Sequence, residues 1–339
     1  MRAPACLAVL ALGAAACGDD DTSGSDWHVV QEELPGALLS VWGGAPDDVW
    51  AVGGDPDQTL ADNGPAPPQV LHWDGAAWET LDPGTQGSLW WVFGRPGGAI
   101  YMGGENATIV KYEGGAFSVM DTPGTTETVF GIWGCSEDPS QVWAVGGNYG
   151  GSDGAFAWRL DGDAWVAADG FPSDELAGSA LWKVHGRACD DAYMVGTNGI
   201  AVRWDGQSLT TENTGVGESL FTVHASADRY VAVGGFGGGI ILENDGAGWQ
   251  DATPDQASAV VGVCTSGGGG VAVGWYGEVH EREDGTWRRD DSAIPLEETL
   301  HATWIDPDGG VWAVGGQVQQ YPLERGVMVY RGESAPVGE

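Results

Sequence analysis

Positive charge is the scarcest feature of this sequence. Its 339 residues include 13 Lys and Arg against 49 Asp and Glu, a formal net charge of −36 at pH 7. Only Lys111 and Lys183 are lysines. Nucleic-acid binding depends on cationic neutralisation of phosphates, so a chain this acidic is expected to repel nucleic acids and anionic lipid surfaces. The charge instead favours a soluble, self-repelling surface and basic partners.

Familiar catalytic motifs are absent as well. The sequence has no Gly-x-Ser-x-Gly, no His-Glu-x-x-His and no Gly-x-Gly-x-x-Gly that opens a helix. Carboxylate pairs are so frequent in this chain that a pair is no sign of glycosidase chemistry. The acidic pairs also lack the alternating ligand spacing of a calcium loop: Asp47-Asp48, Asp190-Asp191 and Asp290-Asp291. The sequence therefore predicts no cofactor, no metal and no catalytic residue.

Helical periodicity is missing, because Pro and Gly interrupt the chain every ten residues or so. One unit recurs seven times instead, and each copy contains short apolar runs separated by turns. The first runs end in one aligned column: Trp42, Phe93, Trp133, His185, His224, Cys264 and Trp304. A repeat of about 40 residues with four short strands is typical of a propeller blade. The sequence thus predicts an all-β, seven-bladed β-propeller of four-stranded blades.

The seventh unit lacks its fourth run, because the chain reads Arg331-Gly332 and then ends within seven further residues. A run of the missing type stands at the other end of the sequence, at Asp26–Val30. We therefore expect this N-terminal strand to pair beside Val327–Tyr330 and complete the last blade, which leaves no open edge. The propeller is predicted over residues 26–334, with a C-terminal tail at 335–339.

The first residues have the pattern of a targeting segment. The apolar stretch Ala5–Ala16 is too short to span a membrane and suits a secretory signal. Small residues directly before Cys17 resemble a bacterial lipoprotein signal, which implies a signal peptide over 1–17, lipidation at Cys17 and a polar tether over 18–25. The protein is then anchored in a bacterial cell envelope. The alternative is an ordinary cleaved signal and a secreted or periplasmic protein.

Three cysteines remain in the predicted propeller. Cys135 and Cys189 fall in the loops between first and second strands of neighbouring blades, so they are candidates for a disulfide in an exported protein. Cys264 shares its column with His185 and His224. These are metal-ligand types, but other blades carry Trp or Phe at the same position, which favours a packing role.

The repeats resemble a known family. A double glycine after the second run (Gly53-Gly54), an aromatic-Asp pair (Trp73-Asp74) and then Trp78 resemble the kelch repeats of galactose-oxidase-like propellers. The pattern is also similar to the BNR-like repeats of sialidase and photosystem-assembly propellers. The resemblance covers almost all of Asp26–Ser334 and implies the fold, but such folds support many unrelated activities.

Function is therefore sought in the loops. The longest insertions are Asp55–Pro68, Asn148–Ala155 and Gln317–Gly326, which share one face of a propeller. Loops of this face carry five candidate binding residues: Tyr149, Phe236, Trp275, Tyr276 and Tyr321. We expect a monomeric, envelope-anchored scaffold that recognises a protein or saccharide partner through this face. The alternatives are a glycan-active hydrolase or lyase with a site in the central funnel, and a calcium- or metal-dependent structural propeller.

Overall fold

The computed structural model describes residues 27–54, 67–148, 154–293 and 296–332. They form 28 strands in seven four-stranded antiparallel sheets, with single 3₁₀ turns at Thr197–Gly199 and Trp275–Gly277. The predicted seven-bladed propeller is therefore confirmed. Within these ranges, no helix has the length and hydropathy needed to cross a bilayer.

Each blade is a sheet of four strands that follow one another in the chain, except in the last blade. The chain begins with β1 (Trp27–Gly36). Blade 1 contains β2 (Leu38–Ala45), β3 (Asp48–Gly53), β4 (Val70–Trp73) and β5 (Trp78–Thr80). Blade 2 contains β6 (Leu89–Gly94), β7 (Ile100–Gly104), β8 (Ile109–Glu113) and β9 (Ala116–Val119). Blade 3 contains β10 (Thr128–Gly134), β11 (Val142–Gly147), β12 (Ala155–Asp161) and β13 (Ala164–Ala167).

The remaining blades repeat this plan. Blade 4 contains β14 (Leu181–Ala188), β15 (Asp191–Gly196), β16 (Ile200–Trp204) and β17 (Leu209–Asn213). Blade 5 contains β18 (Leu220–Ala225), β19 (Tyr230–Gly234), β20 (Ile240–Asn244) and β21 (Gln250–Asp251). Blade 6 contains β22 (Val260–Ser266), β23 (Gly269–Gly274), β24 (Val279–Glu283) and β25 (Thr286–Arg289). Blade 7 contains β26 (Thr299–Ile305), β27 (Val311–Gln317) and β28 (Glu324–Arg331), and β1 completes it.

Closure of the ring depends on β1, as the sequence predicts. Trp27 lies opposite Arg331 in an antiparallel pair with β28, and the pairing continues to Gly36 opposite Glu324. The strand is longer than the predicted run because it continues across two bulges. Trp27 is buried, its Nε1–H donates to Asp290 at 2.9 Å, and the Arg331 guanidinium lies over its ring. These contacts fasten the start of the described chain to blades 6 and 7.

Neighbouring blades meet through the aligned column of the repeats. Trp304, at the end of the ring, packs over Gly43 of blade 1, where a Cβ would overlap the indole. Trp42 covers Gly94 of blade 2 in the same way, and Trp133 covers Gly186 of blade 4. At three further junctions a smaller column residue meets a larger neighbour: His185 meets Ala225, His224 meets Thr265 and Cys264 meets Ile305.

Cys135 and Cys189, the pair proposed from the sequence, are joined by a disulfide, with their Cα atoms 5.0 Å apart. The bond links the loop after β10 to the loop after β14, so it joins blades 3 and 4. Both loops connect first and second strands and therefore lie on the face opposite the loop insertions. Cys264 is a buried free thiol.

Removal of the Trp27 side chain tests the closure. We expect Trp27→Ala to lower the free energy of unfolding by about 3–5 kcal/mol, the usual cost of deleting a buried Trp. Val29→Ala is the matched control, because Val29 is on the same strand and 37% exposed. Chemical denaturation of both variants measures the difference. Equal, small losses would show that β1 does not hold the ring closed.

Mass spectrometry of an unreduced digest tests the disulfide. We expect one linked peptide pair containing Cys135 and Cys189, and alkylation of Cys264 only after denaturation. The sequence separation is 54 residues, so the chain-entropy relation gives a loss of about 4 kcal/mol in stability on reduction. Free thiols at both positions in the non-reduced protein would contradict the pairing.

Candidate functional site

A funnel opens at the centre of the propeller, on the face that carries the loops between second and third strands. Its volume is about 840 Å³. The wall consists of first strands from blades 2 to 7 and of residues that follow the second strands: Gly147, Asn148, Phe236, Trp275, Val318 and Tyr321. Cavities of this size, mostly apolar with few polar groups, are typical of ligand sites.

A β-bulge in every first strand aims one side chain at the centre. Near the start of the first strand, its pairing with the second strand skips one residue in every blade, and blades 1 and 4 have a further irregularity near the strand end. The skipped residues are Leu39, Trp90, Phe130, Trp182, Phe221, Val261 and His301. A bulge leaves its extra residue unpaired and redirects the side chain. All but Leu39 line the funnel, and Leu39 is covered by Leu323 from the loop after β27.

Four rings of this set form a continuous edge-to-face chain. The ring centroids of Phe130 and Trp182 are 4.6 Å apart, and those of Trp90 and Phe130 are 5.2 Å apart. The imidazole of His301, from blade 7, reaches Trp90 of blade 2 at 6.1 Å. Edge-to-face contacts of this kind add to the stability gained from burial alone. The floor of the funnel is therefore an ordered aromatic surface.

Three of the five predicted binding residues line this funnel. Phe236, Trp275 and Tyr321 lie at its wall, and Phe236 packs edge-to-face on Phe221 at 4.9 Å. Tyr276 lies beside it, in a smaller cavity with Glu297 and Glu298. Tyr149 lies outside the described residues. The side chains of Phe236, Tyr276 and Tyr321 remain 57–65% exposed, so they form an apolar rim above the cavity.

Carboxylates position the rim aromatics. Glu218 accepts hydrogen bonds from the backbone N–H groups of Phe236 and Gly237, at 2.7 and 3.2 Å. The Tyr321 hydroxyl donates to Glu105 at 3.1 Å, which ties blade 7 to blade 2 over the top of blade 1. Hydrogen bonds from Phe236 and Gly237 lower the pKa of Glu218. The rim thus combines exposed aromatic rings with negative charge.

The interior of the funnel carries charge of the opposite sign. None of the described lining residues is Asp or Glu, and Lys183 is the one cation among them. Its side chain is buried, its Nζ donates to the Phe130 carbonyl at 2.8 Å, and it lies 4.5 Å from the Trp91 ring centroid. Burial lowers the pKa of Lys183 to about 7. An ammonium so placed is poorly solvated.

His301 adds a neutral acceptor. Its Nδ1 lies 2.6 Å from the Leu39 carbonyl, which can only accept, so Nδ1 carries the proton and Nε2 is the acceptor. Burial, together with the nearby Lys183, lowers the pKa of His301 to about 3. The imidazole therefore stays uncharged at neutral pH.

The column that contains His185, His224 and Cys264 serves packing. The two imidazoles lie 4.0 Å apart, and each Nδ1 accepts a backbone N–H from the next blade at 3.1 Å. Burial lowers the pKa of His224 to about 4 and raises that of Cys264 to about 11. In the described ranges, one cluster of potential metal ligands converges, Cys135, Glu137 and Cys189, and its two sulfurs are bonded to each other.

The sequence prediction missed the bulge residues, although a signal exists for them. Each lies three residues before the aligned column of the repeats. Trp90, for example, precedes the column residue Phe93, and Trp182 precedes the column residue His185. Five of the seven are aromatic or His. An aromatic residue at the start of a first strand would ordinarily be assigned to packing between blades. The bulge turns this aromatic residue toward the funnel, and the bulge itself is not visible in the residue pattern.

Solved structures with the same fold bind different ligands. The chain is similar to the WD40 propeller domain of Doa1, with 12% identity over 92% of this chain and 99% of that one, and a TM-score of 0.66. YCF48 bound to D1 peptide has 13% identity, coverage of 91% and 97%, and a TM-score of 0.65. A catalytically inactive virginiamycin B lyase from Staphylococcus aureus with quinupristin has 11% identity, coverage of 89% and 99%, and a TM-score of 0.65.

These likenesses establish the class of the protein, a seven-bladed β-propeller. At such identities they show the fold alone. No protein-family model matches the chain, and no curated protein matches it. The kelch-like or BNR-like origin of the repeats therefore stays a prediction.

Proposed function

We propose that this propeller is a binding scaffold that captures a segment of a partner protein in its funnel and on the rim around it. The aromatic lining of the funnel carries the proposal. Aromatic side chains bury large areas at low entropic cost, and anchors of this kind dominate the energy of protein interfaces. The rigid ring of blades fixes these side chains before a partner binds, which reduces the conformational entropy lost on binding.

The rim favours a partner larger than the cavity. Phe236, Tyr276 and Tyr321 expose more than half of their surface to solvent, and exposed apolar patches commonly mark interaction sites. Glu105 and Glu218 hold two of these residues and bring negative charge to the same edge. This combination suits a segment with apolar and basic side chains. That a similar propeller, YCF48, binds a peptide supports this choice.

A saccharide partner is the second candidate, since aromatic faces also stack on sugars. A glycan-active hydrolase has less support, because such enzymes use a pair of carboxylic residues and the described funnel wall contains none. Binding of a partner therefore fits the wall better than glycoside hydrolysis does.

Envelope anchoring belongs to the same proposal. Residues 1–26 lie outside the described residues, so the signal peptide, lipidation at Cys17 and the tether over 18–25 rest on the sequence. We propose a monomer held at the bacterial envelope by a lipid on Cys17, with the propeller as its binding domain.

The capture of a partner is tested with a triple variant, Phe236→Ala, Trp275→Ala and Tyr321→Ala. We expect immobilised wild-type protein to retain a partner from envelope extract, and the triple variant to lose at least about 100-fold in affinity, because each aromatic anchor contributes about 1 kcal/mol or more. The control is Val119→Ala with Val166→Ala, since both valines are exposed on outer strands.

Three outcomes decide among the candidates. Loss of capture after protease treatment of the extract supports a protein partner, and loss after periodate treatment supports a saccharide. Equal capture by the triple variant and the control would contradict a role for the funnel. The melting temperature of the triple variant is expected to fall only slightly, because the variant loses the Tyr321–Glu105 hydrogen bond and the Trp275 side chain but keeps the buried residues between the blade sheets.

Detergent partitioning tests the anchor. We expect the full chain, expressed in a bacterium that processes lipoproteins, to enter the detergent phase, and Cys17→Ala to remain aqueous, because the variant lacks the thiol that accepts the lipid. Ser25→Ala is the control and should partition as the wild type does. If wild type and Cys17→Ala both stay aqueous, the protein is secreted or periplasmic.

A further inference from the structure

The one cation in the described funnel wall has no carboxylate to balance it. Lys183 donates to a single carbonyl and faces the Trp91 ring, and burial is the only influence that shifts its ionisation. A buried ammonium without an anion destabilises a fold, so an apolar residue of the same length would serve the core better. Burial lowers the pKa of Lys183 to about 7, so the amine of the free protein is only partly charged, and an anionic group beside it would restore the full ammonium. Its position in the funnel wall therefore points to an anionic ligand group.

We propose that Lys183 binds the C-terminal carboxylate of a partner polypeptide whose last side chain is apolar or aromatic. The inference rests on the proposed capture of a protein segment and specifies which end of it enters the funnel. An ammonium has three donors and the Phe130 carbonyl takes one, so two remain for the carboxylate oxygens.

A second donor in the wall points the same way. The indole Nε1–H of Trp90 is buried and has no hydrogen-bond partner among the described residues. Trp90 and Lys183 both contact Phe130, one through its ring and the other through its carbonyl. A buried donor without an acceptor is costly, and a carboxylate that reaches this wall would relieve it.

The wall also offers an acceptor next to Trp90, which favours a chain terminus over a simple acid. The Nε2 atom of His301 is unprotonated, and its ring contacts Trp90 at 6.1 Å. The last residue of a peptide carries both the terminal carboxylate and an amide N–H that can donate to such an atom. The bulge aromatics Phe130, Trp182 and Phe221 then surround the last side chain.

The rim completes the description of the ligand. Glu105 and Glu218 lie where upstream residues of the bound segment would leave the funnel. The ligand therefore has a free carboxylate inward, an apolar or aromatic last residue and basic residues further out. Its two ends match opposite charges on the protein, which fixes its direction.

Paired peptides test the proposal. The probes are Arg-Lys-Ser-Gly-X with X as Phe, Trp, Leu or Val, each carrying tetramethylrhodamine at the N terminus, and each made as the free acid and as the C-terminal amide. Fluorescence anisotropy with the purified propeller measures affinity. We expect at least one free acid to bind about 30-fold or more tightly than its amide, the loss typical for one partner of a buried charge pair.

Variants of the two lysines locate the effect. Lys183→Met should abolish the preference for the acid and raise the melting temperature, because it removes a buried charge while keeping length and apolar volume. Lys111→Met is the control, since Lys111 lies on β8, the third strand of blade 2, outside the funnel wall, and pairs with Glu113. It should leave both affinity and the acid preference unchanged.

The outcomes separate this inference from the proposed function. If no acid binds better than its amide, or if Lys183→Met keeps the preference, the inference is overturned. If Lys183→Met still captures the envelope partner while the aromatic triple variant does not, the proposed function stands without it. Binding of 3-phenylpropionate as tight as that of the best peptide acid would identify a small aromatic acid as the occupant instead of a chain terminus.

Discussion

The fold depends on the fit between each blade's column residue and the blade that follows. Trp304, Trp42 and Trp133 occupy space that the next blade leaves open with a glycine. The smaller residues His185, His224 and Cys264 face Ala225, Thr265 and Ile305, so at these three junctions the next blade supplies a side chain where the others have a glycine. Protein interiors pack at nearly crystalline density, and a misfit at one junction cannot be absorbed by the others in a closed ring. This ring of contacts provides the rigid frame on which the bulges aim their side chains.

The architecture was predictable because its signals are local and repeated. The aligned column, the glycine after each second strand and the acidic-Gly turns recur in register, so they determine blade number and strand order. The place of β1 followed because Trp27 belongs to the same pattern and the last unit lacks that strand. The candidate site is harder to predict from the sequence than the fold. The sequence predicts Phe236, Trp275 and Tyr321 as binding residues because they stand in loops, and they line the funnel. The bulges that turn Trp90 and Trp182 inward depend on strand pairing, which the residue pattern does not encode.

Contacts between distant parts of the chain also cannot be predicted from this sequence alone. The Tyr321 hydroxyl reaches Glu105, 216 residues away, and Leu323 covers Leu39. Nothing in either segment indicates the other. Lys183 was recognised only as one of two lysines, because burial is a property of the surroundings. Its position conflicts with the otherwise consistent apolar packing of the interior, and such conflicts tend to occur where a protein interacts with something else.

The start of β1 gives the molecule a direction. Trp27 pairs with Arg331 at the end of β28, so the described chain begins on the side of the disulfide between Cys135 and Cys189. The funnel opens on the other side. The proposed lipid at Cys17 would attach on this side, and because eight residues span at most about 25–30 Å, the proposal places the disulfide side of the disc toward the bilayer. Its funnel would then look outward, away from the lipid surface, where a passing polypeptide could enter it unobstructed.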